Sequence, residues 1–181
     1  MKLMRCLAAP LLLLVFAFNI TEQPKPIFEK KEIRSVKYAV AVLPGAFPKS
    51  YGYFNKAFKF NNIDPLTLHF TSTDSAQLVL VQKILKEQLG AYLDSKKITV
   101  PNVTSNKVHD ALNKYGQQVM TLTDKAGKNY ICMNAVCEPE KFSDRWLNNW
   151  VEVKDGGTCY WHLIISLSDK KLLFAHPNGD A

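Results

Sequence analysis

The sequence predicts an α+β fold in which two helices pack on one face of a C-terminal antiparallel meander sheet. Two patterns in the sequence support this prediction. Apolar residues recur at helical spacing between residues 74 and 116, and from residue 117 to 176 they alternate with the period of two that strands have. Short turn sequences separate the alternating segments, which is typical of antiparallel neighbours. With 181 residues, of which 47% are hydrophobic, the chain is long enough to bury one core.

The first 17 residues have the features of a secretory signal peptide. Lys2 and Arg5 precede an unbroken apolar run over residues 6–18, which is too short to span a bilayer. The small residue Ala17 offers a cleavage site at the end of this run. No later apolar run reaches the length of a membrane helix, so we expect a secreted or periplasmic protein without a transmembrane segment.

The mature chain is expected to begin with an exposed leader over residues 18–32, which has two prolines and mixed charges. Residues 33–181 are expected to form a single α+β domain. Its first element is a predicted strand over residues 33–43, which ends at a Pro-Gly pair. The aromatic segment that follows has no clean period, so a loop, a short helix and a short strand all stay open for it.

Two helices are predicted next. Asp74, followed three residues later by Gln77, forms a capping pattern, and apolar residues then recur at helical spacing to about Ser95. The segment SNKVHDALNKYG predicts a second helix, with Gly116 expected as its C-terminal cap.

Five strands are predicted after Gly116, over residues 117–123, 129–137, 150–154, 158–167 and 172–176. The sequences DKAG and SDKK are expected to be hairpin turns. A third hairpin is predicted at Asp155-Gly156-Gly157, with a three-residue loop that sets Val153 opposite Cys159 and so places the apolar residues of both strands on one face.

The three cysteines that remain after signal cleavage predict one disulfide bond. By strand parity Cys137 and Cys159 both face the core, whereas Cys132 faces the other way. Cys132 and Cys137 on one extended strand would lie roughly 16 Å apart, beyond bonding reach. We therefore expect a Cys137–Cys159 bond, worth roughly 3 kcal/mol in the loop-entropy model. The spacing of the cysteines does not fit a zinc site, and no metal is expected.

A candidate site is predicted on the sheet face away from the core. The expected register sets Trp150 opposite His162, and Glu152 opposite Tyr160. Two interpretations stay open for this face. The leader and the aromatic segment 47–60 fold across it and bury it as a second small core, or it is open and functional.

If the face is open, we expect a binding or interaction protein that uses Trp150, Glu152, Tyr160 and His162 as ligand-binding residues. The alternative is a small enzyme with a cone-shaped pocket, in which His162 and Glu152 form an acid–base pair. The sequence contains no nucleophile motif, no metal-protease motif and no phosphate-binding loop. Catalysis is therefore the less favoured interpretation, and no cofactor is expected.

A helix followed by an antiparallel meander, over residues 74–176, resembles the layout of cystatin-like and nuclear-transport-factor-like folds. Secreted cystatins have a Gln-x-Val-x-Gly hairpin, and the nearest match in this chain is residues 117–121, QQVMT, which lacks the glycine. The resemblance therefore implies a layout and no inhibitor function.

Charge and one glycosylation motif bear on partners. The formal net charge is +7 and falls by two, to +5, when Lys2 and Arg5 leave with the signal peptide. The dispersed lysines favour an anionic envelope or extracellular ligand, and a protein partner is the other expectation. Nucleic acid is not expected, because aromatic and basic residues do not interleave in a binding motif and a secreted chain meets little nucleic acid. Asn102 begins an Asn-Val-Thr sequon, which is a glycosylation site only if the source is a eukaryote.

Overall fold

The structure is a computed structural model that describes residues 28–29, 32–33, 36–37, 40–43, 52–142, 145–153 and 155–179. The predicted signal peptide, residues 1–17, lies outside the described residues, as does most of the predicted leader, residues 18–32. None of the described helices is both long enough and apolar enough to cross a membrane.

The fold is α+β, as the sequence predicts. The helices are α1 (Gly52–Phe60), α2 (Ser75–Lys96), α3 (Val108–Leu112) and α4 (Arg145–Asn148). The strands are β1 (Phe28–Glu29), β2 (Glu32–Ile33), β3 (Val36–Lys37), β4 (Val40–Val42), β5 (His69–Thr71), β6 (Gly116–Thr123), β7 (Asn129–Val136), β8 (Gly157–Ser166) and β9 (Lys171–Asn178).

Strands β6 to β9 form the predicted meander, each antiparallel to the next. The full sheet has the order β1-β4-β6-β7-β8-β9, and β5 lies beside β6 on the edge that β4 also uses. Strand β4 runs parallel to β6, which the sequence alone does not reveal. Strand β1 belongs to the segment predicted as exposed leader, yet it pairs with β4, so the sheet begins before residue 33. Strands β2 and β3 pair with each other and form a separate two-stranded sheet within the described residues.

Two helices cover one face of the sheet, as predicted. Helix α2 begins at the expected capping box, since the Asp74 carboxylate accepts from the Gln77 amide N–H at 2.7 Å and the Gln77 side chain accepts from the Asp74 amide N–H at 3.0 Å. Helices α2 and α3 bury their apolar stripes against the odd-numbered residues of β7 and β8, which confirms the predicted parity. The buried sheet residues of this core are Ile131, Met133, Ala135, Trp161, Leu163 and Ile165.

Helix α1 covers the opposite face, so helices lie on both sides of the sheet. Phe54, Ala57 and Phe58 recur at helical spacing and are buried against Met120, Leu122, Tyr130, Cys132 and Ile164. The aromatic segment therefore forms a second small core, as one of the two interpretations of the sequence has it.

The predicted strand 150–154 is absent from the described residues 150–153, and the predicted Asp155-Gly156-Gly157 hairpin register is wrong. Both edges of β8 are already paired, one with β7 and the other with β9. Two buried amides hold the segment instead. Val151 donates its N–H to Gln118 Oε1 at 2.8 Å, and its carbonyl accepts from Asn134 Nδ2 at 2.9 Å. The backbone of this segment thus bonds to side chains on a sheet face. The alternation of apolar residues, from which a strand was predicted, does not indicate such bonds.

Gly116 does not cap a helix. Helix α3 ends at Leu112, and Gly116 is the first residue of β6. A Cβ atom at this position would lie 2.7 Å from Cβ of Pro139, closer than real Cβ contacts come. The glycine is explained by this close approach and not by a left-handed backbone.

Candidate functional site

The four residues of the predicted sheet site do not form one open surface. His162 lies near the centre of the face that α1 covers, and it is only 2% exposed. The ring of Phe54 meets the ring of His162 edge-on at 5.5 Å, and that of Trp150 at 5.7 Å. Ligand binding at this place stays a prediction, and it would require α1 to move off the sheet.

The other three residues are dispersed. Trp150 is half-buried and contacts both the α1 core and a third cluster that contains Trp146 and Val151. Tyr160 packs in that third cluster, with its ring edge-on to Phe142 at 6.2 Å. Glu152 is exposed. For His162 and Glu152 to act as an acid–base pair, a buried imidazole would have to meet a solvent-exposed carboxylate.

Burial has a direct electrostatic effect on His162. Desolvation lowers the pKa of its imidazole to about 4, and the neighbouring His176 contributes in the same direction. His162 is therefore neutral at neutral pH, packed under an aromatic helix.

The Cys137–Cys159 pairing is confirmed. The two sulfur atoms lie at bonding distance, with 5.0 Å between the Cα atoms, and the Cys137 amide donates to the Cys159 carbonyl at 2.9 Å. Cys132 is the free cysteine of the described chain, and burial raises the pKa of its thiol well above the usual value. Glu138 is close to the two bonded sulfur atoms, but sulfur atoms in a disulfide are not thiolate ligands.

The sequon lies on a loop between α2 and α3. Asn102 is exposed and has a positive φ of 60°, in a turn closed by a bridge between Val100 and Val103. The hydroxyl of Thr104 is exposed and bonds to Asn106 at 2.7 Å. Glycosylation stays a prediction that depends on a eukaryotic source.

A cleft at the edge of the sheet brings together residues that sequence analysis did not predict to be close. Helices α1 and α2, on opposite faces of the sheet, both reach its edge at β9 and enclose a cleft of about 460 Å³. This volume lies within the range of small-molecule sites. The lining is mostly apolar: Ala57, Phe60, Tyr92, Ile98, Leu173, Phe174 and Ala175. We call it the β9 cleft.

Two lysines flank the β9 cleft. Lys56 comes from α1 and Lys96 from the last turn of α2, and both are exposed. The Lys96 ammonium lies 5.4 Å from the ring centre of Phe60 and 5.9 Å from that of Tyr92, within cation–π range. Phe60 is 78% exposed, which is unusual for so large an apolar side chain.

Side chains of α2 occupy part of the outer backbone edge of β9 beside the cleft. Gln88 of α2 accepts from the Leu172 amide at 2.9 Å and donates to the Lys170 carbonyl at 2.8 Å. Further along, the side-chain hydroxyl of Tyr92 is hydrogen-bonded to the backbone of Ala175. Side chains of α2 thus take the place of a neighbouring strand, which is one way in which proteins protect a sheet edge.

A second cleft, of about 590 Å³, lies between the residues after α1 and the β6–β7 turn. Four of its polar side chains bond to one another in two pairs. Lys128 pairs with Asp169 at 3.0 Å, and the Tyr130 hydroxyl donates to Asp124 at 2.9 Å. Burial and then Asp124 raise the pKa of Tyr130, so the hydroxyl keeps its proton. The charged groups of these pairs are therefore already satisfied, whereas Lys56 and Lys96 beside the β9 cleft form no ion pair within the described residues.

Sequence reasoning missed the β9 cleft because its residues come from three distant segments. One sequence pattern could have identified α1 as a helix with a single apolar stripe, since Phe54, Ala57 and Phe58 have that spacing. Phe60 lies off that stripe, so an exposed aromatic at the end of α1 could have been expected. The approach of α1 and α2 at the sheet edge depends on tertiary packing and has no local signature.

Comparison with known proteins gives no significant match, whether to a family model, to a curated protein or to a solved structure.

Proposed function

We propose that this chain works outside the cytoplasm as a binding protein, and that its ligand is a small molecule held in the β9 cleft. The observation that carries the proposal is an apolar cleft of about 460 Å³ with an exposed phenylalanine, Phe60, at its side. The predicted signal peptide supports the location, and the Cys137–Cys159 bond fits an oxidising compartment.

The β9 cleft replaces the aromatic sheet face as the favoured binding place. Phe54 and Phe58 already fill the space over that face, and removing them from the sheet would expose a hydrophobic core. The cleft needs no such rearrangement. The enzyme alternative with His162 and Glu152 stays a prediction. No contact between these two described residues supports it.

A neutral fluorescent probe tests the proposal. N-phenyl-1-naphthylamine fluoresces when it leaves water, and we expect the mature protein to bind it with saturation. Phe60→Ala should weaken this binding roughly tenfold, because it removes a large apolar contact. Leu66→Ala is the matched control, since Leu66 is a comparably exposed apolar residue, 82% exposed, that does not line the cleft. Equal binding by both variants and the wild type would contradict the proposed place.

A further inference from the structure

The β9 cleft also has a charge pattern that points to a chemical class of ligand. Its lining contains two lysines and one histidine, and no carboxylate is among the described lining residues. Within the described part of the chain, neither Lys56 nor Lys96 takes part in an ion pair. An apolar cavity flanked by cationic groups of this kind is complementary to a molecule with an apolar body and an anionic end.

We propose that the ligand is a single-chain anionic amphiphile, whose carboxylate or phosphate end pairs with Lys56 and Lys96 while its apolar body lies against Phe60, Tyr92 and Phe174. This inference rests on the proposed function, because it specifies the ligand of the same cleft.

The position of Lys96 supports the assignment. Its ammonium lies over the rings of Phe60 and Tyr92, so the charge is held beside the apolar surface. The nearby carbonyls at the end of α2 are already occupied, since Asp94 accepts from the Lys97 amide and Leu93 accepts from the Ile98 amide. These two carbonyls are therefore satisfied within the chain and need no hydrogen bond from Lys96, whose ammonium group stays available to an anion.

The protected edge of β9 argues against a peptide as the occupant. A peptide that joins a sheet needs unpaired backbone groups on the outer strand. In β9 the Leu172 amide bonds to Gln88, and residue 177 is a proline with no N–H to offer. The cleft thus provides apolar side chains and positive charge, and few free backbone groups for pairing with a strand. These features suit a small amphiphile better than a peptide.

The test compares three molecules that share one alkyl chain and differ in the head group: dodecanoate, dodecanol and dodecyltrimethylammonium. Each is titrated, below its micelle concentration, against the mature protein loaded with N-phenyl-1-naphthylamine. We expect dodecanoate to displace the probe at a roughly tenfold lower concentration than the other two, and this preference to shrink as salt rises.

A charge-matched pair of variants locates the effect. Lys56→Gln with Lys96→Gln should abolish the preference for dodecanoate but leave probe binding intact. Lys83→Gln with Lys86→Gln removes the same charge from α2 at exposed positions outside the cleft lining, and it should keep the preference. Lys56→Arg with Lys96→Arg should keep it as well, because the charge remains.

The outcomes separate the two proposals. Equal displacement by all three molecules, or a preference that survives Lys56→Gln with Lys96→Gln, would overturn the anionic assignment while saturable probe binding still supports the proposed function. No saturable probe binding to the wild type would overturn both. Sedimentation with phosphatidylglycerol vesicles, without displacement of the probe by dodecanoate, would assign the lysines to a membrane surface and overturn the amphiphile.

Discussion

At the scale of single residues, His162 shows how burial decides the role of a side chain. Its sequence context, an aromatic strand with a carboxylate nearby, is also that of a catalytic base. In the structure its imidazole is buried and in contact with Phe54, and desolvation lowers its pKa to about 4. Between pH 6.5 and 4 this imidazole stays neutral in the folded protein, whereas the unfolded chain would take up a proton there.

The free energy of unfolding should therefore decrease as the pH is lowered. The pKa of His162 is lower in the folded state, about 4, than the ordinary 6.5, so its contribution is complete above pH 6.5 and is lost as the pH falls towards 4. We expect a loss of roughly 2–3 kcal/mol between pH 7.5 and 4.5, measured by urea unfolding. His162→Gln should remove most of this loss, whereas replacement of the exposed His69 by Gln should not. Equal pH dependence in His162→Gln and the wild type would contradict the burial of a neutral imidazole.

The disulfide gives a second prediction for individual residues. Replacing Cys137 and Cys159 together by alanine should lower the free energy of unfolding by roughly 3 kcal/mol, because the unfolded chain loses a cross-link. Thermal melting with and without a reductant provides the control. The reductant should lower the melting temperature of the wild type and leave that of the double variant unchanged. A wild type insensitive to reductant would show that the bond contributes nothing.

At the scale of elements, the segment 145–153 shows where strand periodicity misleads. Val151 and Val153 alternate with polar residues, as in a strand, but Val151 is bound by the side chains of Gln118 and Asn134. Gln118 also donates to the carbonyls of Trp146 and Asn149 at 2.5 and 2.7 Å. One buried amide thus satisfies several backbone groups of a non-repetitive segment, which keeps the cost of burying them low.

Gln118→Ala should loosen this segment. The variant leaves backbone groups of residues 146–151 without their partner, so we expect destabilisation of roughly 2–4 kcal/mol. We also expect new proteolytic cleavage within residues 145–153, detected by mass spectrometry. Gln117→Ala is the control, because Gln117 is the adjacent buried amide on the same strand and bonds towards Gln82 of α2. Cleavage at the same place and rate in both variants would contradict a specific role for Gln118.

The helices and the meander were predictable because each follows from local rules. Asp74 and Gln77 form the capping box that the sequence indicates, and the odd-numbered residues of β8 face the core as their alternation requires. The parallel pairing of β4 with β6 was not predictable, and the sequence left open whether the aromatic segment that forms α1 would cover the sheet. Both bring together segments that are far apart in sequence, and neither a capping residue nor a periodicity encodes which distant partner an element meets.

At the scale of the whole molecule, the candidate site depends on how the layers meet. Helices on both faces of the sheet extend to the same edge, and the β9 cleft lies between them. The sequence identified aromatic residues on the sheet, but tertiary packing places Phe54 over them and leaves Phe60, six residues later, exposed. The parity of strands predicted which residues share a face. It did not predict which face another element would cover.

The location of the molecule is open to a direct check. We expect the expressed full-length chain to lose residues 1–17 on export, so that N-terminal sequencing of the exported protein begins at Phe18. Replacing the basic residues Lys2 and Arg5 by glutamate should slow export. An exported protein that still begins at Met1 would contradict the predicted cleavage.

The Cys137–Cys159 bond has a further consequence for the molecule after damage. The bond closes a covalent ring that contains residues 138–158, including α4 and the loop that leads into β8. A single cut in the ring leaves the two fragments joined, with β6 and β7 on one side of the break and β8 and β9 on the other. A protein cleaved there would migrate as one band in gel electrophoresis until the bond is reduced. Its sheet would retain every strand.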